Sequence, residues 1–574
     1  MLLVNMERKA GRISGDVYAN VLDVIRDMPG RHKTSGKDVL FEMTAGNLEH
    51  LKRYLPSDTI WGKDVNDAYW ALKTKRQDEE KTKEMKKLAL PPEAYAFPFK
   101  TKPYDHQLKV FHISRDHTAF GFFMEMGTGK TKVSIDTAAH LYSRGEIDTL
   151  LVTAPNGVHR QWVTDELPTH LPDWVAHRAC YYSSGATQAK TREINEVLNF
   201  KDGLRIISVN IEALSHKSGI EFVKKVLFNS RCLWVLDEST RIKNSGSIRT
   251  KNCLKLAPYA TYRRILSGAP VTKGVEDLYA QMMFLDPDIL GFSSFYTFRN
   301  RYCEMGGFQQ KKIVGYKYIE ELQGRMEGNT FRVTKQDCLD LPPKIYMERT
   351  IELHPEQRKM YKQLKEDLFV QLKDGQIIDA PLAITLMMRL QQVLCGFLPD
   401  PDRPGKHIDI IPPKENSRLH AIEEIVQEAQ GKLILWARFH VDMANLFHLV
   451  TKEMGKTAVL YHGGITPAAK QEAKYAFVND HDTTVFIGNP AAAGIGLNLA
   501  VANDVVYYSN DFNADNRWQS EDRAHRIGMK GAVTYTDIIA LKTIDMKIKA
   551  ALHAKKSIAS IVVDRKTLEE FLDE

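Results

Sequence analysis

Three short runs hold the side chains best suited to chemistry. The first is Met124-Glu125-Met126-Gly127-Thr128-Gly129-Lys130-Thr131. Apolar residues 119–124 precede it, and Ile135, Ala138, Ala139 and Tyr142 follow at helical spacing. Strand, glycine turn and helix, in that order, make a cradle for phosphate. Gly127 and Gly129 let backbone N–H groups turn inward with Thr128 between them, and the helix N-terminus adds a favourable dipole. In such a cradle Lys130 neutralises the β- and γ-phosphates and the Thr131 hydroxyl ligates Mg²⁺. Met124 stands where the fuller pattern begins with glycine.

The second run is Cys232-Leu233-Trp234-Val235-Leu236, an apolar strand that ends in Asp237-Glu238. Acidic groups at the C-terminal edge of a parallel strand sit where such sheets bind ligands. Asp237 is expected to hold Mg²⁺ through water, and Glu238 to orient and activate an attacking water. The third run is Gln519-Ser520-Glu521-Asp522-Arg523-Ala524-His525-Arg526-Ile527-Gly528. If helical, it places Gln519, Arg523 and Arg526 on one face. Two guanidiniums on one stripe suit charge stabilisation at a transferring phosphoryl group. A surface helix with ion pairs to Glu521 and Asp522 is the competing reading, and His525 reads as a packing or hydrogen-bonding residue. Gly494 and Gly496, ahead of Leu497-Asn498-Leu499, mark a turn where backbone approaches a ligand. Nucleotide phosphate, DNA phosphate or a purely structural turn all fit it.

Elements must position these groups. Short apolar runs at 119–124, 149–153, 204–209, 232–236 and 264–267 alternate with helical patterns, as in a parallel sheet covered by helices. The pattern lapses between about 273 and 343, then resumes at 432–437, 457–460, 483–487, 505–508 and 533–539. The expected fold class is therefore α/β, with two tandem parallel-sheet domains and helical insertions. Residues 1–92 read as an N-terminal accessory module ending in a charged helix or linker over 73–87. Residues 93–345 form the first lobe, with its insertion at about 273–343. Residues 346–574 form the second, with a helical segment at about 355–412. The net charge of +7 leans towards a polyanionic partner. Six scattered cysteines without metal spacing argue for a reducing compartment and against structural zinc. Met1-Leu2-Leu3-Val4 is too short for a secretion signal, and no apolar run reaches membrane-spanning length.

Taken together these runs resemble the Swi/Snf family of superfamily-two helicase-like ATPases, from residue 104 to 561, in a compact form like those of bacteria or phages. Tyr104-Asp105-His106-Gln107 looks like the family's adenine-reading segment, with Gln107 donating to and accepting from the base. Ala154-Pro155 with Gln161-Trp162 and Glu166 is similar to its first DNA-contacting motif. Asp237-Glu238 leads into Arg241-Ile242-Lys243-Asn244, typical of the family. Leu266-Ser267-Gly268-Ala269-Pro270, ahead of Asp277-Leu278-Tyr279, resembles the motif that couples hydrolysis to DNA. Residues 433–439, His462-Gly463-Gly464, residues 493–499 and the arginine run match the second lobe. Ser239-Thr240, Ala269, Met529 and Lys470 depart from the usual residues. Residues 17–56, with Val24 to Arg31 and Phe41, faintly resemble the substrate-recognition module of annealing-helicase relatives, although a generic α+β accessory domain is the preferred reading.

The resemblance implies two RecA-like lobes and an ATP- and Mg²⁺-dependent DNA translocase, a DNA-dependent ATPase acting on double-stranded DNA that is plain, forked or branched. Phosphate contacts are expected near Pro155, Arg438, His462 and residues 494–498, with Gly496 also near the nucleotide. It further implies a monomeric motor without a membrane partner, in the cytoplasm with the nucleoid, or in the host cytoplasm if phage-encoded. A strand-separating DNA or RNA helicase and a nucleotide-gated DNA-binding scaffold are the alternatives.

Overall fold

The fold comes from a computed structural model that describes residues 2–7, 10–15, 24, 32–35, 38–42, 45–156, 158–182, 187–272, 274–292, 294–306, 312–338, 342–373, 380–493, 497–526, 529 and 531–553. The chain divides into two compact units, Met1–Cys338 and Leu339–Glu574. Among the described residues no helix is long and apolar enough to cross a membrane.

The first unit opens with a small sheet in the order β3-β4-β2-β1-β5. Its strands are β1 (Leu2–Glu7), β2 (Ala10–Gly15), β3 (His32–Ser35), β4 (Asp38–Glu42) and β5 (Ile60–Trp61). Val4, Ile13, Val39 and Phe41 pack on Leu48 and Leu51 from the helix Ala45–Tyr54. Phe41 lies across from Gly11, where an added Cβ would collide with its ring at 2.1 Å. Val24 is described, while residues 25–31 of the segment likened to a recognition module lie outside the described residues. The polar stretch at 73–87 belongs to a longer helix, Lys63–Lys87. That helix is not simply solvated: Lys75 pairs with Asp286 at 2.5 Å, Thr82 meets His117 at 2.9 Å, and Lys86 reaches the Thr330 carbonyl at 2.6 Å.

The main sheet of this unit is wholly parallel, ordered β14-β6-β11-β10-β7-β9-β8. It comprises β6 (Ala119–Met124), β7 (Thr149–Ala154), β8 (His177–Tyr181), β9 (Leu204–Asn210), β10 (Cys232–Asp237), β11 (Tyr262–Leu266) and β14 (Thr330–Val333). Alternate residues serve opposite cores. Leu233 and Val235 of β10 face one, and Cys232, Trp234 and Leu236 face the other. A strand covered on both faces needs apolar residues at every position, which is why it reads as an unbroken run. Each such side chain contributes roughly 1.5–3 kcal/mol by leaving water.

The region read as a helical insertion, 273–343, does hold helices such as Asp277–Leu285 and Ile319–Glu327. It also contains a hairpin, β12 (Cys303–Gly306) with β13 (Lys312–Tyr316), and the sheet strand β14. The second unit has its own parallel sheet, ordered β15-β22-β21-β18-β20-β19. Its strands are β15 (Lys344–Ile351), β18 (Lys432–Trp436), β19 (Thr457–Tyr461), β20 (Thr483–Gly488), β21 (Ala502–Tyr507) and β22 (Val533–Ala540), and a short hairpin pairs β16 (Phe397–Pro399) with β17 (His407–Asp409). The same alternation holds: Leu433 and Leu435 face one core, Ile434 and Trp436 the other. The fold is thus α/β, with two parallel-sheet domains and a small N-terminal sheet.

Candidate functional site

In the first unit, β6, β11 and β10 are neighbours, so the turns leaving their C-terminal ends lie side by side. The turn after β6 is the glycine run. Gly127 and Gly129 adopt φ of 83° and 93°, a left-handed backbone that side chains disfavour. A Cβ on Gly129 would also stand 2.1 Å from the Gln107 amide nitrogen. Gly129 caps the helix Lys130–Ser143, with Lys130 and Thr131 in its first turn. The Lys130 amine is almost fully buried and donates to the Met124 and Glu125 carbonyls at 2.7 and 3.2 Å. Thr128 Oγ1 donates to the Glu125 carbonyl at 2.7 Å.

Gln107 sits on the helix Asp105–Ser114 and is buried. Its amide oxygen accepts from the Tyr104 N–H at 3.1 Å, and its amide nitrogen donates to the Thr128 carbonyl at 3.0 Å. His106 Nε2 meets the same carbonyl at 2.8 Å. The amide thereby holds the glycine turn against this helix. An amide oxygen has two lone pairs and the NH₂ two hydrogens, so each end retains capacity for a base edge.

The turn after β10 carries the acidic pair. Asp237 is buried, accepting from the Trp162 indole N–H at 2.9 Å and from the Glu238 N–H at 2.9 Å. Burial pushes its carboxyl up, while the indole, the Lys130 charge and the Glu238 N–H favour the carboxylate. The electrostatic link to Lys130 joins the two turns into one site. Glu238 has φ 51° and ψ 59°, a left-handed conformation costly for a side chain with a Cβ. Trp162 belongs to the run resembling a DNA-contacting motif, yet it is buried and opens a π-turn, Trp162–Glu166, that directs its indole at Asp237.

A buried chain of hydrogen bonds connects this turn with the one after β11. Ser239 Oγ donates to Gln281 Oε1 at 2.6 Å, and Gln281 Nε2 donates to the Pro270 and Asp277 carbonyls at 2.8 and 2.7 Å. The Ser239 hydroxyl is a departure from the resembled family, and here it has a definite partner.

In the second unit the arginines occupy one end of the helix Ala514–Ala524. The helix stops before Arg526, so the one-face spacing does not extend to it. His525, the C-cap, leaves the helical conformation with ψ of 83° and its Nε2 meets the Pro342 carbonyl at 2.8 Å. The guanidiniums converge all the same: Nη1 of Arg523 and of Arg526 donate to the Leu497 carbonyl at 3.4 and 2.9 Å. Arg523 is 2% exposed and Arg526 is half-buried. Gly494, Ile495 and Gly496, and likewise Ile527 and Gly528, lie outside the described residues. Glu521 and Asp522 pair with Lys344 at 3.1 and 3.3 Å. Arg517 fastens the helix to the sheet through Asp537 at 2.5 Å, Glu521 at 2.9 Å and the Tyr507 ring at 3.4 Å. Arg438 stacks on Phe512 at 3.7 Å and donates to Gln391 at 2.9 Å, and the His462 ring lies 4.7 Å from that of His440.

The first parallel-sheet unit thus carries a glycine turn beside a strand-end acidic pair, and the second carries two converging arginines. Residues 104–396 match the SNF2-related domain and residues 417–528 match the helicase conserved C-terminal domain. The chain belongs to the SNF2-related family. Among curated relatives it is 26% identical over 441 residues to an "Uncharacterized ATP-dependent helicase" of Mycoplasma pneumoniae, covering 76% of this chain and 39% of that protein. It is 27% identical over 456 residues to the "Putative ATP-dependent helicase/translocase YwqA" of Bacillus subtilis, covering 76% of this chain and 46% of that one. The chain thus spans less than half the length of these relatives. Among solved structures, the Sulfolobus solfataricus SWI2/SNF2 ATPase core in complex with dsDNA aligns with 84% of this chain and 99% of that one, at 23% identity and a TM-score of 0.38.

Proposed function

We propose that the chain is a DNA-dependent ATPase that turns ATP hydrolysis into movement along double-stranded DNA, without obligatory strand separation. The supporting observation is the burial of Lys130 and Asp237 in the neighbouring turns after β6 and β10, where the Lys130 charge favours the Asp237 carboxylate, in a chain of the SNF2-related family. Lys130 exchanges backbone carbonyls for phosphate oxygens, Gly127, Thr128 and Gly129 present N–H groups, and Gln107 meets the adenine edge. Among the described residues no cluster of three His, Cys, Asp or Glu side chains could hold a metal by itself. Asp237 and Thr131 are the groups that would hold Mg²⁺, which when bound neutralises phosphate charge. Glu238 accepts a proton from the attacking water, while Arg523 and Arg526 stabilise charge on the transferring group. Groups near Pro155, Arg438, His462 and residues 494–498 contact DNA phosphates, with Gly496 also near the nucleotide. Forked or branched DNA as a substrate, action as a monomer and a cytoplasmic site belong to the same reading.

ATP turnover measured with duplex, forked and single-stranded DNA and with RNA, beside triplex- and strand-displacement assays, tests this. Duplex stimulation with triplex displacement and intact strands is expected. Displacement of a labelled strand makes the chain a helicase, and DNA binding without turnover makes it a scaffold. Glu238→Gln is expected to bind ATP with near wild-type affinity and to hydrolyse it at least ~10²-fold more slowly, the usual size of a general-base contribution. Equal turnover in single-turnover assays removes Glu238 from the chemistry.

The acid limb of the pH profile should follow Asp237. Its carboxyl titrates above the usual range, so the charged, metal-holding form is present only above that raised value and is lost as pH falls through it. Trp162→Phe deletes an N–H that favours the carboxylate. The titration then moves further up, and the acid limb of the ATPase profile shifts to higher pH with the alkaline plateau kept. A limb that stays in place shows that another group titrates.

A further inference from the structure

We infer that the Glu125 carboxylate is a positioning residue that ties the state of the phosphate loop to the last turn of the first unit, an inference that rests on reading that loop as a nucleotide site. Glu125 follows β6 directly, and its Oε2 accepts from the backbone N–H of Lys335 at 2.7 Å. Lys335 opens the single helical turn Lys335–Cys338, and Cys338 is where the first unit ends. The turn is closed on itself. Thr334 donates to Asp337 Oδ2 through its N–H at 3.0 Å and its hydroxyl at 2.5 Å, and Cys338 Sγ donates to the Thr334 carbonyl at 3.1 Å. It therefore responds as one piece to whatever holds Lys335.

The backbone of Glu125 belongs to the phosphate loop. Its carbonyl accepts from Thr128 Oγ1 at 2.7 Å and from the Lys130 amine at 3.2 Å, and its N–H donates to the Val333 carbonyl at 2.9 Å. A phosphate at the loop competes for the Lys130 amine. Losing that donor loosens the Glu125 peptide, and the carboxylate it carries shifts relative to Lys335. A charge-assisted hydrogen bond to backbone is strong enough to transmit this. One residue thus contacts the loop lysine, the loop hydroxyl and the chain leaving the unit. Nucleotide arrival is read out at 334–338 through Glu125.

The test compares the full chain with Glu125→Gln and Glu125→Ala. Both variants lose the same charge beside the phosphates, while only glutamine keeps an acceptor for the Lys335 N–H. Amide exchange at Lys335, without nucleotide and with a non-hydrolysable ATP analogue, is followed by mass spectrometry. Fluorescent-ATP affinity and DNA-stimulated kcat and KM are measured alongside. Without nucleotide, exchange at Lys335 is expected to be about tenfold faster in Glu125→Ala than in wild type, the size of one charge-assisted hydrogen bond, and to lie between the two in Glu125→Gln, whose amide oxygen accepts without the charge. The analogue changes that rate in wild type and in Glu125→Gln but not in Glu125→Ala. kcat falls about tenfold in Glu125→Ala relative to Glu125→Gln, with equal KM. Equal exchange or equal kcat in the two variants overturns the inference. So does normal ATP-analogue binding that leaves wild-type Lys335 exchange unchanged, with the nucleotide reading intact. A wild-type chain that binds no ATP overturns the nucleotide reading itself, and this inference with it.

Discussion

Lys130→Ala is expected to abolish ATP hydrolysis while leaving the fold intact. The amine is almost fully buried between the Met124 and Glu125 carbonyls and interacts with the Asp237 carboxylate, so it stands where a triphosphate would bring several negative charges into a site largely closed to water. Charges in such a place interact far more strongly than in bulk solvent. Removing the cation therefore removes both ground-state binding and stabilisation of the developing charge. Turnover should drop to the assay background, at least ~10³-fold below wild type, as for loss of a principal electrostatic group. The variant also loses two hydrogen bonds to backbone, so a thermal melt belongs beside the assay. A melting temperature close to wild type with no turnover supports the assignment. Wild-type turnover means that the phosphate loop has been misplaced.

Arg526→Ala is expected to keep nucleotide binding and to lower DNA-stimulated turnover by at least ~10³, the effect of a missing arginine finger. Arg523 and Arg526 share the Leu497 carbonyl as acceptor, so a compact cationic site persists when one of them is removed. Arg523 is nearly sealed, whereas Arg526 is half-buried and so better able to leave that carbonyl for a phosphoryl oxygen. Arg526→Lys serves as the control: it keeps the charge but not the planar fork, and is expected to recover only part of the rate. Unchanged turnover in Arg526→Ala assigns the turn after Ala524 to structure alone. A fall in stability that parallels the fall in rate leads to the same conclusion.

Much of the architecture was legible because buried parallel strands advertise themselves. β6, β10 and β18 are covered on both faces, and nearly every position is apolar. In the two parallel sheets the strands that escaped are edges. β8 begins with exposed His177-Arg178, β14 is four residues long with Arg332 in it, and β15 is mostly solvent-facing from Lys344 to Thr350. An edge strand needs apolar residues on neither face throughout, so its run carries no period to recognise. Arg526 was expected on a helical face, and the helix ends two residues earlier because His525 turns away to the Pro342 carbonyl.

Local order along the chain was enough to place Lys130, Thr131, Asp237 and Glu238 at strand ends, since strand, turn and helix follow one another within a few residues. The partners that set those groups were hidden by distance in sequence. Trp162 reaches Asp237 across 75 residues, Ser239 reaches Gln281 across 42, and Glu125 reaches Lys335 across 210. A hydrogen bond between such residues leaves no spacing rule behind, because it depends on which strands become neighbours in the sheet. Periodicity and turn chemistry are properties of adjacent residues and survive in a string of letters. The burial of Asp237, the left-handed Glu238 and the convergence of two arginines on Leu497 arise only when the sheets close.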